Sequence, residues 1–232
     1  MKHCLLACTL AACCANATAA ECPPYVKRTP GGDYTSAEDR DGLSVVEKFH
    51  FSRAVETLTQ GMTGSLGADI SYTLEHFPNH HRALASMAKL GLRLKSAQPV
   101  GARYTVSCYF ERAIAFAPHD VTARMVYGSY LLSTGQDAMA LEQLDAASRL
   151  APDQATIQYN LGLMYAKKKE YEKASAHAQK AYALGFPLPG LKNKLKAAGK
   201  WREPPPAVVV EAKEAPKAEE PAMPPVEEPS GE

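Results

Sequence analysis

The chain has 232 residues, 46% of them hydrophobic, and its 26 basic and 25 acidic side chains leave it close to neutral. That length holds one or two domains, and since both ends read as non-globular, one is expected. No basic cluster with interleaved aromatics occurs, which argues against nucleic acid as a partner. The near-zero total hides an asymmetry. From Glu203 to Glu232 eight Glu stand against two Lys, so the body before them is modestly basic. Such a body suits acidic partners or lipid headgroups, or is a plain solvated surface.

Met1-Lys2-His3 is a short basic start, and Cys4 to Ala15 is an uncharged run rich in Leu, Ala and Cys. Asn16 to Ala20 then offers small residues for a signal peptidase, so residues 1–20 read as a secretory signal peptide, too short for a permanent span. A second reading stays open. Leu10-Ala11-Ala12-Cys13 is similar to a bacterial lipobox, and a diacylated Cys13 would tether the protein to a membrane. Cleavage after Ala20 leaves Cys22 and Cys108, which either pair in an oxidising compartment or stand apart, Cys108 as core filler and Cys22 in a loose arm.

Residues 21–42 are rich in Pro and Gly near their start and read as an extended arm, with a turn over Ser36 to Asp41. Residues 43–78 read as a helical extension. Leu43 to Phe51 fits neither helical nor strand period cleanly, Ser52 is a candidate cap for a helix from Arg53 to about Gln60, and Gly61 to Gly67 is expected as a loop. Ser65 in that loop is a near miss for a nucleophile elbow, because Thr63 replaces the required glycine. Ala68 to Phe77 is expected as a helix ended by Pro78. Asn79 then caps a helix from His80 to about Lys95, which pairs with a helix from Tyr104 to Ala117. His76, His80 and His81 cluster, but Pro78 breaks the helix that would align two imidazoles for a metal, so a polar turn is expected instead.

The next two blocks share one grammar. Gly128, Gly135, Ala140, Leu144, Ala147, Leu150 and Pro152 fill the first, with helices over Val121–Ser133 and Ala138–Leu150 and Asp120 as cap. Asn160, Leu161, Gly162, Tyr165, Tyr171, Ala174, Ala178 and Ala181 fill the second, capped by Asp153 and closed by Gly185-Phe186-Pro187. A shift of 34 residues lays Gly128 on Gly162, Ala140 on Ala174 and Ala147 on Ala181. That period and those small residues resemble the tetratricopeptide repeat family. The resemblance covers residues 79–187 as three units, 79–118, 119–152 and 153–187, the first with an insertion around Ser96–Gly101. Leu191, Leu195 and Ala198 lie at helical spacing among lysines, so residues 188–202 read as a capping helix with Trp201 folded back. Residues 203–232, with eight prolines, are expected to be disordered.

The fold class expected is therefore all-α. More finely, the resemblance implies a right-handed α-solenoid of tetratricopeptide-like hairpins, with the helical extension before it and the cap and tail after it. It also implies partner contact along the concave face, at Met125, Ser129, Leu132, Tyr159, Leu163 and Lys167. Family members that clamp a terminal carboxylate carry Lys, Asn and Asn where this chain has Met125, Ser129 and Asn160, so an apolar or mixed helix or strand is the expected ligand. No P-loop, His-Glu-x-x-His or Cys-x-x-Cys occurs, and no acid–base pair is placed for catalysis. The expectation is a non-enzymatic adaptor or assembly factor of the bacterial envelope, exported to the periplasm, without cofactor or metal. It would bind a protein or peptide, and a membrane only if lipidated. The alternatives are a lipoprotein subunit anchored through Cys13 or a homo-oligomer stacking through its N-terminal side.

Overall fold

Prolines set the frame. Phe77-Pro78-Asn79-His80, Ala117-Pro118-His119-Asp120 and Ala151-Pro152-Asp153-Gln154 each stop one helix and start the next, because proline has no N–H and disfavours helix in the residue before it. A computed structural model describes residues 22–203. The expected signal peptide, the candidate lipidation site Cys13 and the expected tail from residue 204 lie outside the described residues. Among those described there are ten helices and no strand. They are α1 (Leu43–His50), α2 (Arg53–Glu56), α3 (Leu66–His76), α4 (His81–Leu94), α5 (Val106–Phe116), α6 (Val121–Ser133), α7 (Asp137–Leu150), α8 (Ala155–Lys167), α9 (Tyr171–Ala183) and α10 (Gly190–Ala197). Through Trp201 they form one unit. The fold class is all-α, with consecutive helices from α2 onward packed on one another and α1 packed on α3.

Within the pairs α6–α7 and α8–α9 the turns are three residues long. Gly135 takes φ 79° and Lys169 takes φ 62°, and the amides of Gln136 and Glu170 donate back to Leu131 O and Tyr165 O. Ala88, Gly128 and Gly162 each fall eighth in their helix. A Cβ on Gly128 would lie 2.6 Å from Leu144 Cγ, so the glycine lets α7 close on α6. The pair α4–α5 takes its extra residues in the connection 95–105.

Several boundaries differ from those the sequence predicts. Asn79 does not cap α4; His80 does, its Nδ1 accepting from Ala83 N–H at 3.1 Å. The Asn79 amide is drawn elsewhere, accepting from Tyr34 N–H and donating to Asp33 and Asp120. Asp153 does not cap α8 either. Gln154 occupies that place without a side-chain bond, and Asp153 pairs with Lys180 at 3.2 Å. Gly61–Gly67 is not all loop: α3 starts at Leu66 under a Ser65 cap. Gly67 lies inside this helix, and it is a glycine because a Cβ there would sit 2.4 Å from Val100 O in the connection 95–105. α2 has one turn instead of two, since Leu58 enters φ 60° and Thr59 N–H doubles back to Ala54 O.

The core is in two parts. The larger runs from Phe51 through Leu84, Tyr109, Tyr127 and Leu144 to Met164. The smaller collects Ala166, Ala174, Ala178, Leu191 and Leu195, with Trp201 against it. The arm is extended but not loose. Cys22 and Cys108 form a disulfide, Tyr25 OH and Gly32 N–H both donate to His76 O, and Arg28 pairs with Glu75.

Candidate functional site

α4 and α6 lie side by side, and small residues hold them close without filling the space above. Ala85, Ala88, Lys89 and Leu92 of α4 face Met125, Val126, Ser129, Tyr130 and Ser133 of α6 across a groove of about 260 Å³ with almost wholly apolar walls. Through Leu92, Tyr130 and Ser133 it runs on into a hollow of about 420 Å³ beneath Lys95, Ser96 and Ala97. Leu92 is 37% exposed, a large apolar side chain left in water. Lys89 and Lys95 are the charged residues of this trough, and no carboxylate lines it.

The six residues implied by the resemblance divide. Met125 and Ser129 line the groove. The Ser129 hydroxyl donates to Met125 O at 2.9 Å and accepts from Asn160 Nδ2 at 2.8 Å, so it ties α6 to α8. Leu132 packs on the larger core cluster. Tyr159 stacks on Phe186 at 4.0 Å and meets Tyr182 edge-on at 6.5 Å; burial comes first in pushing its phenol above the ordinary value. Leu163 joins the smaller cluster, and Lys167 pairs with Asp137 at 2.7 Å. Sequence reasoning did not single out Ala85, Lys89 or Val126 for the groove. The missed signal is that Ala85, Ala88 and Leu92 repeat at helical spacing on a helix that already has a second apolar face.

A larger hollow of about 540 Å³ lies at the start of α6, among Asp33, His81, His119 and Asp120. Its Asp33, His81 and Asp120 side chains are already engaged internally. Asn79 Nδ2 bridges Asp33 and Asp120, and His81 Nε2 faces Asp120 at 2.8 Å. Burial alone would raise the Asp120 carboxyl, but donors from His81, Ala123 N–H and Asn79 outweigh it and hold the carboxyl below its ordinary value.

The three clustered histidines have separate partners: His76 faces Pro30 O, His80 faces Glu47 and His81 faces Asp120. Among the described residues no three His, Cys, Asp or Glu side chains are grouped to hold a metal. His50, Asp69 and Thr63 come together, but both partners sit on the same ring nitrogen, Nδ1, and Thr63 donates to the carboxylate. A proton relay needs the nucleophile and the acid on opposite nitrogens, so this trio organises a loop. No described helix is long and apolar enough to cross a membrane.

No protein-family model matches this chain, and neither does any curated protein.

Proposed function

We propose that the protein is an adaptor that holds another protein by laying its apolar segment in the α4/α6 groove. The observation that carries this reading is the groove itself: an apolar trough lined by two lysines and by no carboxylate. An amphipathic helix or a strand with apolar side chains would bury Leu92, Met125 and Val126, at about 25 cal/mol per Å² removed from water.

The finer architecture belongs to this proposal. Two hairpins with three-residue turns, α6–α7 and α8–α9, and small residues at the eighth position of α4, α6 and α8 support a right-handed solenoid resembling tetratricopeptide repeats. Export to the periplasm is supported by the Cys22–Cys108 bridge, since disulfides persist in oxidising compartments.

The test is site-specific photo-crosslinking in the native envelope, with the probe at Leu92, at Ser133 and, as control, at Glu172 on α9. The same protein captured from the first two positions and not the third, and lost on Met125→Glu, supports the groove. Equal capture from all three positions, or capture untouched by Met125→Glu, rejects it.

A further inference from the structure

On the surface of α5 the chain's own arm sits as a ligand would. Arg112 is 7% exposed, and no carboxylate among the described residues pairs with it. A buried guanidinium must find acceptors for its fork of N–H groups. They come from the backbone of the arm: Nη1 donates to Pro23 O at 2.6 Å and to Pro24 O at 3.2 Å. The guanidinium carbon stands 4.6 Å from the Tyr104 ring and 6.0 Å from the Tyr25 ring, between two aromatic faces. Tyr25 meets Phe116 edge-on at 4.8 Å and donates from its hydroxyl to His76 O at 2.9 Å.

A Pro-Pro pair suits this slot for physical reasons. It offers carbonyls with no competing N–H, and it is already extended, so little entropy is lost on seating. We propose that Tyr104, Arg112 and Phe116 form a binding site for an extended proline-rich strand of the Pro-Pro-aromatic type, filled at rest by residues 23–25 and locked by the Cys22–Cys108 disulfide. The site is separate from the α4/α6 groove and does not depend on that reading.

The lock follows from tethering. The arm is anchored again at Gly32 and Tyr34, so its prolines face the slot at roughly millimolar effective concentration, and a free strand is shut out. A dithiol opens it. Cys108 is buried and Cys22 is less so, so the reagent's thiolate attacks Cys22 Sγ and the Cys108 thiolate leaves and takes up a proton. The reagent's second thiol then attacks the mixed disulfide, frees Cys22 as a thiol and leaves the reagent as its own disulfide, two electrons and two protons having passed to the protein.

The test uses the full chain and a fluorescein-labelled peptide, Ser-Pro-Pro-Tyr-Val-Lys-Arg, read by anisotropy. An opened variant, Cys22→Ser with Cys108→Ser and Tyr25→Ala, is expected to bind it saturably and about 100-fold more tightly than the oxidised wild type. Adding Arg112→Gln, or replacing both peptide prolines with Ala, is expected to weaken binding about tenfold. A folded opened variant that fails to bind, or one indifferent to Arg112→Gln, overturns the proposal. So does oxidised wild type binding equally well. Should the opened variant not fold, deuterium uptake in the arm of dithiol-reduced wild type decides: a rise on adding millimolar peptide means displacement, and no rise rejects the site.

Discussion

Gly162 lies directly beneath Leu191. A Cβ at position 162 would stand 2.4 Å from that leucine's Cδ2 and 3.3 Å from Ala174 O. One glycine therefore lets both α9 and α10 close on α8. Gly162→Ala gains about 1 kcal/mol of helix propensity, and overpacking costs about 1–3 kcal/mol, so a net loss of about 1 kcal/mol is expected. Leu191→Ala alone should cost about 2–5 kcal/mol by leaving a cavity. In the double variant the new methyl fills part of that cavity, so the two losses fall short of additivity by about 1 kcal/mol in urea unfolding. Strict additivity would mean that the two side chains do not meet.

Cutting the disulfide should be felt by the whole fold. The bridge closes a loop with a sequence separation of 86. The chain-entropy relation gives about 4.6 kcal/mol for a loop of that size, lost on reduction or in Cys22→Ser. Urea midpoints of oxidised and reduced protein measure this. A loss below about 1 kcal/mol would mean that the arm's other anchors already order the unfolded chain.

What was legible from the sequence was local. Pro118 and Pro152, Gly135, and the 34-residue spacing of Gly128 and Gly162 each act within one helix or turn, so the boundaries of α6 and α9 follow closely from residue order. Asn79 and Asp153 read as caps from the sequence and are not, because caps depend on what else claims the side chain, and Asp33, Asp120 and Lys180 lie elsewhere in the chain. Gly67 reads as loop because its neighbour, Val100, is remote in sequence. The groove had the same obscurity, since Met125 and Leu92 become neighbours only through packing of α4 on α6. The seating of Pro23 on Arg112 crosses 89 residues, and no periodicity announces it.

Asp69 organises the loop before α3. Its carboxylate is fully buried and accepts from Met62 N–H at 2.6 Å, from Thr63 N–H and from the Thr63 hydroxyl, with His50 Nδ1 at 3.2 Å. Burial alone would raise this carboxyl, but the donors prevail and hold it low. Asp69→Ala strands two backbone amides and is expected to cost about 3 kcal/mol. Hydrogen exchange should localise the damage, with protection lost first at Met62 and Thr63. Unchanged exchange at those two amides would show that water replaces the carboxylate freely.

The pH dependence should begin with a histidine. His80 is fully buried, and because Nδ1 accepts from Ala83 N–H its proton sits on Nε2, facing Glu47 at 2.9 Å. Burial pushes its pKa below the ordinary 6.5, against the opposing pull of Glu47, and burial likewise lowers that of His177. The unfolded chain therefore takes up protons on these residues before the folded chain does. The stability they contribute is full above pH 6.5 and falls as pH drops below it, by at most about 1.4 kcal/mol per pH unit for each proton. A second loss begins below the ordinary 3.8 of the aspartates, where Asp69 and Asp120 are held low. His80→Asn keeps an acceptor at the cap of α4 but does not titrate. It should reduce the slope of the stability profile between about pH 6.5 and pH 5, leaving the share of His177 and the aspartate limb in place. A variant profile parallel to wild type through that window would remove His80 as the source.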